Sequence, residues 1–202
     1  MTVDWTDKVW TWDKDHRQNG REWPAGPWDG EPDKVQWVDE ATGLDCLIVR
    51  GPMGALCGYV GVPPEHPFSG VHYNACATEA TCEGDWGDER HDRHVSPERV
   101  LTVHGGITFS DFCVESEKGE GHGICHVAEP GRPEKVFWFG FDCAHFSDVV
   151  PAMLAEGVMS YTSLYQHGEY RDVHYVKEQV ELLATQLKEF GRGPMLDLGW
   201  VK

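Results

Sequence analysis

The chain has 202 residues, 40% of them hydrophobic, with 23 Gly, 12 Pro and a formal net charge of −17. That length suits one domain with a sizeable core, and no apolar run approaches the roughly 20 residues that cross a bilayer. The acidic balance argues against a direct grip on nucleic acid or on an anionic membrane, since both need a positive footprint.

Asp and Glu are scattered through the chain with no run longer than two. They read as a solubilising surface rather than as the ranked carboxylates of a DNA mimic. The start, Met1-Thr-Val-Asp-Trp-Thr-Asp-Lys8, lacks the basic and apolar regions of a secretory signal, so a cytosolic location is expected. The seven cysteines include no Cys-x-x-Cys pair. Reduced thiols are therefore expected, without a disulfide framework.

Residues 1–33 form a Trp-rich arm holding Trp5, Trp10, Trp12, Trp23 and Trp28. Trp10 and Trp12 alternate with polar neighbours, as in a half-buried edge strand, and the indoles should fill grooves on the main body. A base-stacking platform would need accompanying Lys and Arg. A single α+β domain is expected over 34–202. Three strands are expected over 35–39, 44–50 and 56–62, divided by the turns Ala41-Thr-Gly43 and Gly51-Pro-Met-Gly54. Residues 63–98 make a long polar loop, the length of a lid or binding loop. Within it Cys76, Cys82, His91 and His94 offer four zinc ligands, although their spacing departs from finger patterns.

Two more strands are expected at 99–104 and 107–113, joined at Gly105-Gly106 as a hairpin, and a short one at 123–127. Val136-Phe-Trp-Phe-Gly-Phe141 reads as a core strand buried on both faces. Phe137, Phe139, Phe141 and Cys143 share one face of it, and Val136, Trp138, Gly140 and Asp142 the other. Residues 149–156 suit a short helix with Pro151 in its first turn. The clearest helix covers 170–190, where Val173, Val176, Val180, Leu183, Leu187 and Phe190 form one apolar stripe. Gly191 suits a left-handed cap. The stripe should pack on the sheet rather than form a coiled-coil seam. The fold expected is α+β: an antiparallel sheet of about six to seven strands with the C-terminal helix laid on one face.

Four blocks occur together: Cys57-Gly-Tyr-Val-Gly-Val-Pro-Pro-Glu-His-Pro67, Val103-His-Gly-Gly-Ile-Thr108, Trp138-Phe-Gly-Phe-Asp-Cys-Ala-His145 and Tyr170-Arg-Asp-Val-His-Tyr-Val176. As a set they resemble an uncharacterised family encoded by tailed phages and prophages, chiefly of actinobacteria, over roughly residues 44 to 190. The resemblance implies a setting, the host-cell cytosol with a role against host defence, and no particular mechanism.

Polar groups at the mouth of a core strand need partners, which makes the end of the 136–141 strand the place to look for chemistry. If the chain turns after Phe141, then Asp142 and His145 converge, with His104 at the end of another strand and Asp148 before the short helix. Two His and two Asp can bind a divalent metal and activate water, or act without metal as an imidazole tuned by a carboxylate. They can also simply pair with each other or with loop backbone. Cys143 with His104 or His145 as base is a third chemistry, although buried cysteines are commonly inert. Gly105, Gly106 and Thr108 would let a ligand approach the backbone. Arg171, with His66, could hold a phosphate or carboxylate at the start of the long helix, unless it makes only a first-turn salt bridge. Two readings result. In one, the His/Asp pocket binds or hydrolyses a small polar, nucleotide-like ligand. In the other, a non-catalytic acidic effector binds and inhibits a host protein.

Overall fold

The computed structural model describes residues 8–12, 23–75, 96–115, 123–155 and 168–192. In chain order its elements are β1 (Lys8–Trp10), β2 (Lys34–Val38), β3 (Asp45–Arg50), β4 (Leu56–Val62), a short α1 (Pro97–Val100), β5 (Phe109–Phe112), β6 (Val114–Glu115), β7 (Gly123–Ile124), β8 (Phe137–Asp142), a short α2 (Pro151–Ala155) and the long α3 (Val173–Arg192). Six strands form one sheet in the order β1-β2-β3-β4-β8-β5, every pair antiparallel. The interior position of β8, one strand in from the β5 edge, follows from composition. It is the most aromatic strand, and it is enclosed by neighbours on both edges and by apolar side chains on both faces. Together with α3 the sheet makes an α+β fold.

Side-chain alternation sets the two faces. Phe137, Phe139, Phe141 and Cys143 join Leu56, Val60 and Ile48 beneath the helix stripe Val173, Val176, Val180, Leu183 and Leu187. Close approach of α3 depends on Gly58, where a Cβ would stand 2.6 Å from Cγ2 of Val180. The opposite face gathers Leu47, Val49, Tyr59, Val136 and Trp138. The β6–β7 ribbon is tied to the sheet there, because the Lys34 ammonium donates to the carbonyls of Gly123 (3.1 Å) and Cys125 (2.7 Å). Burial pushes the Lys34 pKa down to about 8.

Three local expectations are corrected. Residues 101–108 are not a strand: Thr102 and His104 bond to α3, while the Gly106 N–H closes a turn on the Val103 carbonyl. Gln186 clamps Thr102 through its N–H (2.8 Å) and carbonyl (2.9 Å), and Gln179 accepts the His104 N–H at 3.0 Å. Donors taken by helix glutamines or by a turn are not left for a partner strand. Gly191 lies within α3 rather than capping it, and its missing Cβ makes room for the His66 ring, 3.0 Å away. Cys113 and Cys125 form a disulfide, contrary to the expectation of reduced thiols. They face each other one step beyond the β6–β7 ladder, with Cα atoms 4.6 Å apart. The described part of the Trp-rich arm is stitched into the body. Its β1 is an edge strand of the main sheet, and Trp23 and Trp28 are buried against Ala152.

The helix–sheet contact makes a direct prediction. Leu183 is fully buried while its neighbour Leu182 is 45% exposed. An unpaired carboxylate in that core costs several kcal/mol, a large part of a typical stability of about 5–15 kcal/mol. Leu183→Asp should therefore abolish the cooperative urea transition, whereas Leu182→Asp should leave it nearly unchanged. A folded, monomeric Leu183→Asp protein would refute the packing.

Candidate functional site

The end of β8 is turned by its own side chains. Asp142 Oδ1 accepts the N–H of Ala144 at 3.0 Å, an Asx turn, and Oδ2 accepts the Thr108 hydroxyl at 3.0 Å. Asp148, three residues after His145, closes a second turn, with its N–H on the His145 carbonyl (2.9 Å) and its Oδ2 accepting the His145 N–H (3.0 Å). Asp148 also bridges in parallel to Glu169. That contact brings Arg171 alongside it.

The approach to α3 is fixed from below by a buried cation. The Arg50 guanidinium, with its side chain fully enclosed, donates to Asp33 (2.7 Å), Glu31 (3.1 Å), the Gly54 carbonyl (2.9 Å) and the Tyr170 hydroxyl (2.9 Å). Glu31 in turn accepts the Tyr170 hydroxyl and the Val173 N–H at the first residue of α3. An arm carboxylate thus satisfies a free helix donor and sets where Tyr170 and Arg171 stand.

At the centre lies the Asp148 carboxylate, 1% exposed. Its Oδ2 accepts from Nε2 of His104 at 2.7 Å and its Oδ1 from Nε of Arg171 at 3.0 Å. Burial alone would push this carboxyl up. The hydrogen bonds from His104, Arg171 and the His145 backbone outweigh that and hold it below its ordinary value. Because a carboxylate only accepts, His104 carries its proton on Nε2, and Nδ1 takes the Tyr175 hydroxyl at 2.9 Å. The His145 ring stands edge-on to that of His104, centroids 5.3 Å apart. It lies directly over Gly105, where any Cβ would overlap the ring, and Gly105 has a φ of +66°. Nδ1 of His145 is buried and has no hydrogen-bond partner among the described residues. It points between two carboxylates, 3.5 Å from Asp148 Oδ2 and 3.9 Å from Asp142 Oδ1.

The structure therefore brings His104, Asp142, His145 and Asp148 together with Gly105, Thr108 and Arg171. Gly106 continues the same turn with a φ of +87° and open space where a side chain would be. His66 does not join them. Its Nε2 bonds the Leu187 carbonyl at 2.9 Å, about 21 Å along α3 from the Val173 end that Arg171 precedes. It is committed to that helix carbonyl, and burial lowers its pKa.

Cys143 is packed in the aromatic core, where burial, aided by Asp148 and Asp142, pushes its thiol well up, the reverse of what a nucleophile needs. The loop ligands Cys76, Cys82, His91 and His94 fall outside the described residues. Tyr175 was not anticipated. Its signal was helical spacing: Arg171, Tyr175 and Gln179 recur every four residues on the side of α3 facing 101–108, and the Arg171 guanidinium lies 4.7 Å from the Tyr175 ring centre.

No family model, curated protein or solved structure matches the chain. Among the described residues no helix is long and apolar enough to cross a membrane.

Two outcomes test the site. Because the folded pKa of Asp148 is depressed, its stabilisation is present above the unfolded value of about 3.9 and is lost as pH falls through the folded value. Asp148→Asn should lower unfolding stability by about 2 kcal/mol at pH 7. The gap should narrow below about pH 4, measured by urea titration at each pH, and a gap constant down to pH 2 would contradict this. Iodoacetamide should leave Cys143 unlabelled in the native protein. Rapid labelling, read by peptide mass spectrometry, would reopen it as a nucleophile.

Proposed function

We propose that this chain is a small-ligand enzyme whose reacting centre is the His104–His145–Asp148 cluster, binding and hydrolysing a polar, nucleotide-like molecule. One observation carries the reading. Two imidazoles from separate segments converge on one fully buried carboxylate, and one imidazole nitrogen has no hydrogen-bond partner among the described residues. Buried polar atoms are ordinarily satisfied, so a buried ring nitrogen set between two carboxylates calls for a partner.

The surroundings suit such a ligand. Gly106, with open space where a side chain would be, lets it reach the backbone without meeting a Cβ. Phe146, 58% exposed beside His145, offers a ring face for a base, and Arg171 brings positive charge to the cluster. The cluster would hold and activate the attacking water, and Asp142, 3.9 Å from Nδ1 of His145, lies close enough to take its proton. The resemblance to tailed-phage proteins supplies the setting, the cytosol of an infected host, where a degraded nucleotide signal would blunt host defence. In the alternative reading, an acidic effector blocks a host protein without chemistry.

The purified protein should convert at least one member of a panel of linear and cyclic nucleotides, followed by liquid chromatography and mass spectrometry. His145→Ala should reduce that conversion at least 100-fold while leaving the circular-dichroism spectrum unchanged. A His104→Ala/His145→Ala protein that folds and keeps its full effect on host cells would favour the effector reading instead.

A further inference from the structure

We infer that His104, His145 and Asp148 bind one divalent transition-metal ion, through Nε2 of His104, Nδ1 of His145 and a carboxylate oxygen of Asp148. The inference rests on the reading of this cluster as the reacting centre and names the agent that activates its water.

Donor spacing comes first. Ligands about 2.1 Å from a shared ion stand about 3.0 Å apart in octahedral geometry and about 3.4 Å apart in tetrahedral geometry. Here Asp148 Oδ2 is 2.7 Å from Nε2 of His104 and 3.5 Å from Nδ1 of His145, and all three donors lie within 4.8 Å of one another. Small rotamer adjustments would seat an ion among them.

The supporting shell is already built. Metal-bound imidazoles are normally steered through their other nitrogen, and Nδ1 of His104 has the Tyr175 hydroxyl. Ligation at Nε2 would move the ring proton to Nδ1, so that Tyr175 changes from donor to acceptor within the same contact. The second oxygen of Asp148 is held by Arg171, and the His145 ring is placed over Gly105 where no other residue allows it. Nδ1 of His145, otherwise an unsatisfied buried nitrogen, gains a partner.

Charge points the same way. With neutral imidazoles, the carboxylates of Asp142 and Asp148 outnumber the one guanidinium of Arg171, so an anionic ligand would be repelled. A divalent ion reverses that balance. Two nitrogens with one oxygen select Zn²⁺, Mn²⁺, Fe²⁺ or Co²⁺ over Ca²⁺ and Mg²⁺. Three protein ligands leave positions for water and ligand, the pattern of a catalytic rather than a structural site.

The test is titration of chelator-treated full-length protein with Co²⁺ and Zn²⁺, by calorimetry and by cobalt absorption. The expected result is one ion per chain with a spectrum lacking thiolate-to-cobalt charge transfer. His145→Ala should weaken binding at least 100-fold. Gly105→Ala, which removes no ligand but displaces the His145 ring, should weaken it at least 10-fold. No binding to wild type, or wild-type affinity in folded His145→Ala, would overturn the inference. So would a thiolate band, which would place the ion on cysteines, either Cys76 and Cys82 or, with their disulfide reduced, Cys113 and Cys125 beside His126. The two proposals fail separately. Ion binding without conversion of any nucleotide defeats the enzyme reading alone, and conversion that survives chelator defeats the metal alone.

Discussion

The site depends on a single buried charge, the Asp148 carboxylate. Taken out of water, it must be surrounded by donors or it would not be ionised at all. The donors come from three separate parts of the chain: His104 after α1, the His145 backbone just beyond β8, and Arg171 ahead of α3. Satisfying one anion therefore fixes the relative positions of all three segments. The cluster is a by-product of that requirement, since no segment can drift without stranding a buried charge. Leaving such a charge without a partner costs about 3–5 kcal/mol.

Arg50 plays the matching part on the other side of the α3 entry. It is a buried cation surrounded by acceptors, and it joins the N-terminal arm at Glu31 and Asp33 to the Gly54 turn and to Tyr170. The two buried ions sit on either side of the Tyr170-Arg171 step. Between them they define how the last helix leaves the loop before it and where its polar stripe falls. That stripe, Tyr175 and Gln179, then meets the backbone and ring of His104. Sheet packing explains where α3 lies. The ion pairs explain which of its residues reach the site.

Much of this could be read from the residues alone. The aromatic strand ending in Asp-Cys-Ala-His marked both an interior strand of the sheet and the polar cluster at its tip, because apolar alternation and abrupt polarity are local features. The apolar stripe of α3 was equally plain. What could not be read were the long-range satisfactions. Nothing local says that Gln179 and Gln186 would take backbone groups of Thr102 and His104, or that His66 would bond a helix carbonyl more than a hundred residues away. Gly191 was assigned to a cap by position, whereas its use is to admit His66. Cys113 and Cys125 pair only because a two-residue ribbon places them opposite each other. Tyr175 was hidden by sitting on the polar side of a helix recognised by its apolar side.

The most direct measurement of the central claim is long-range proton–nitrogen NMR of the histidine rings at neutral pH in ion-free protein. The His104 Nε2 proton should appear downfield, exchange slowly with water, and vanish from that position in Asp148→Asn, while His145 shifts with it. A His104 ring whose protons exchange as freely as those of a surface histidine, unchanged by Asp148→Asn, would show that no buried carboxylate gathers these residues.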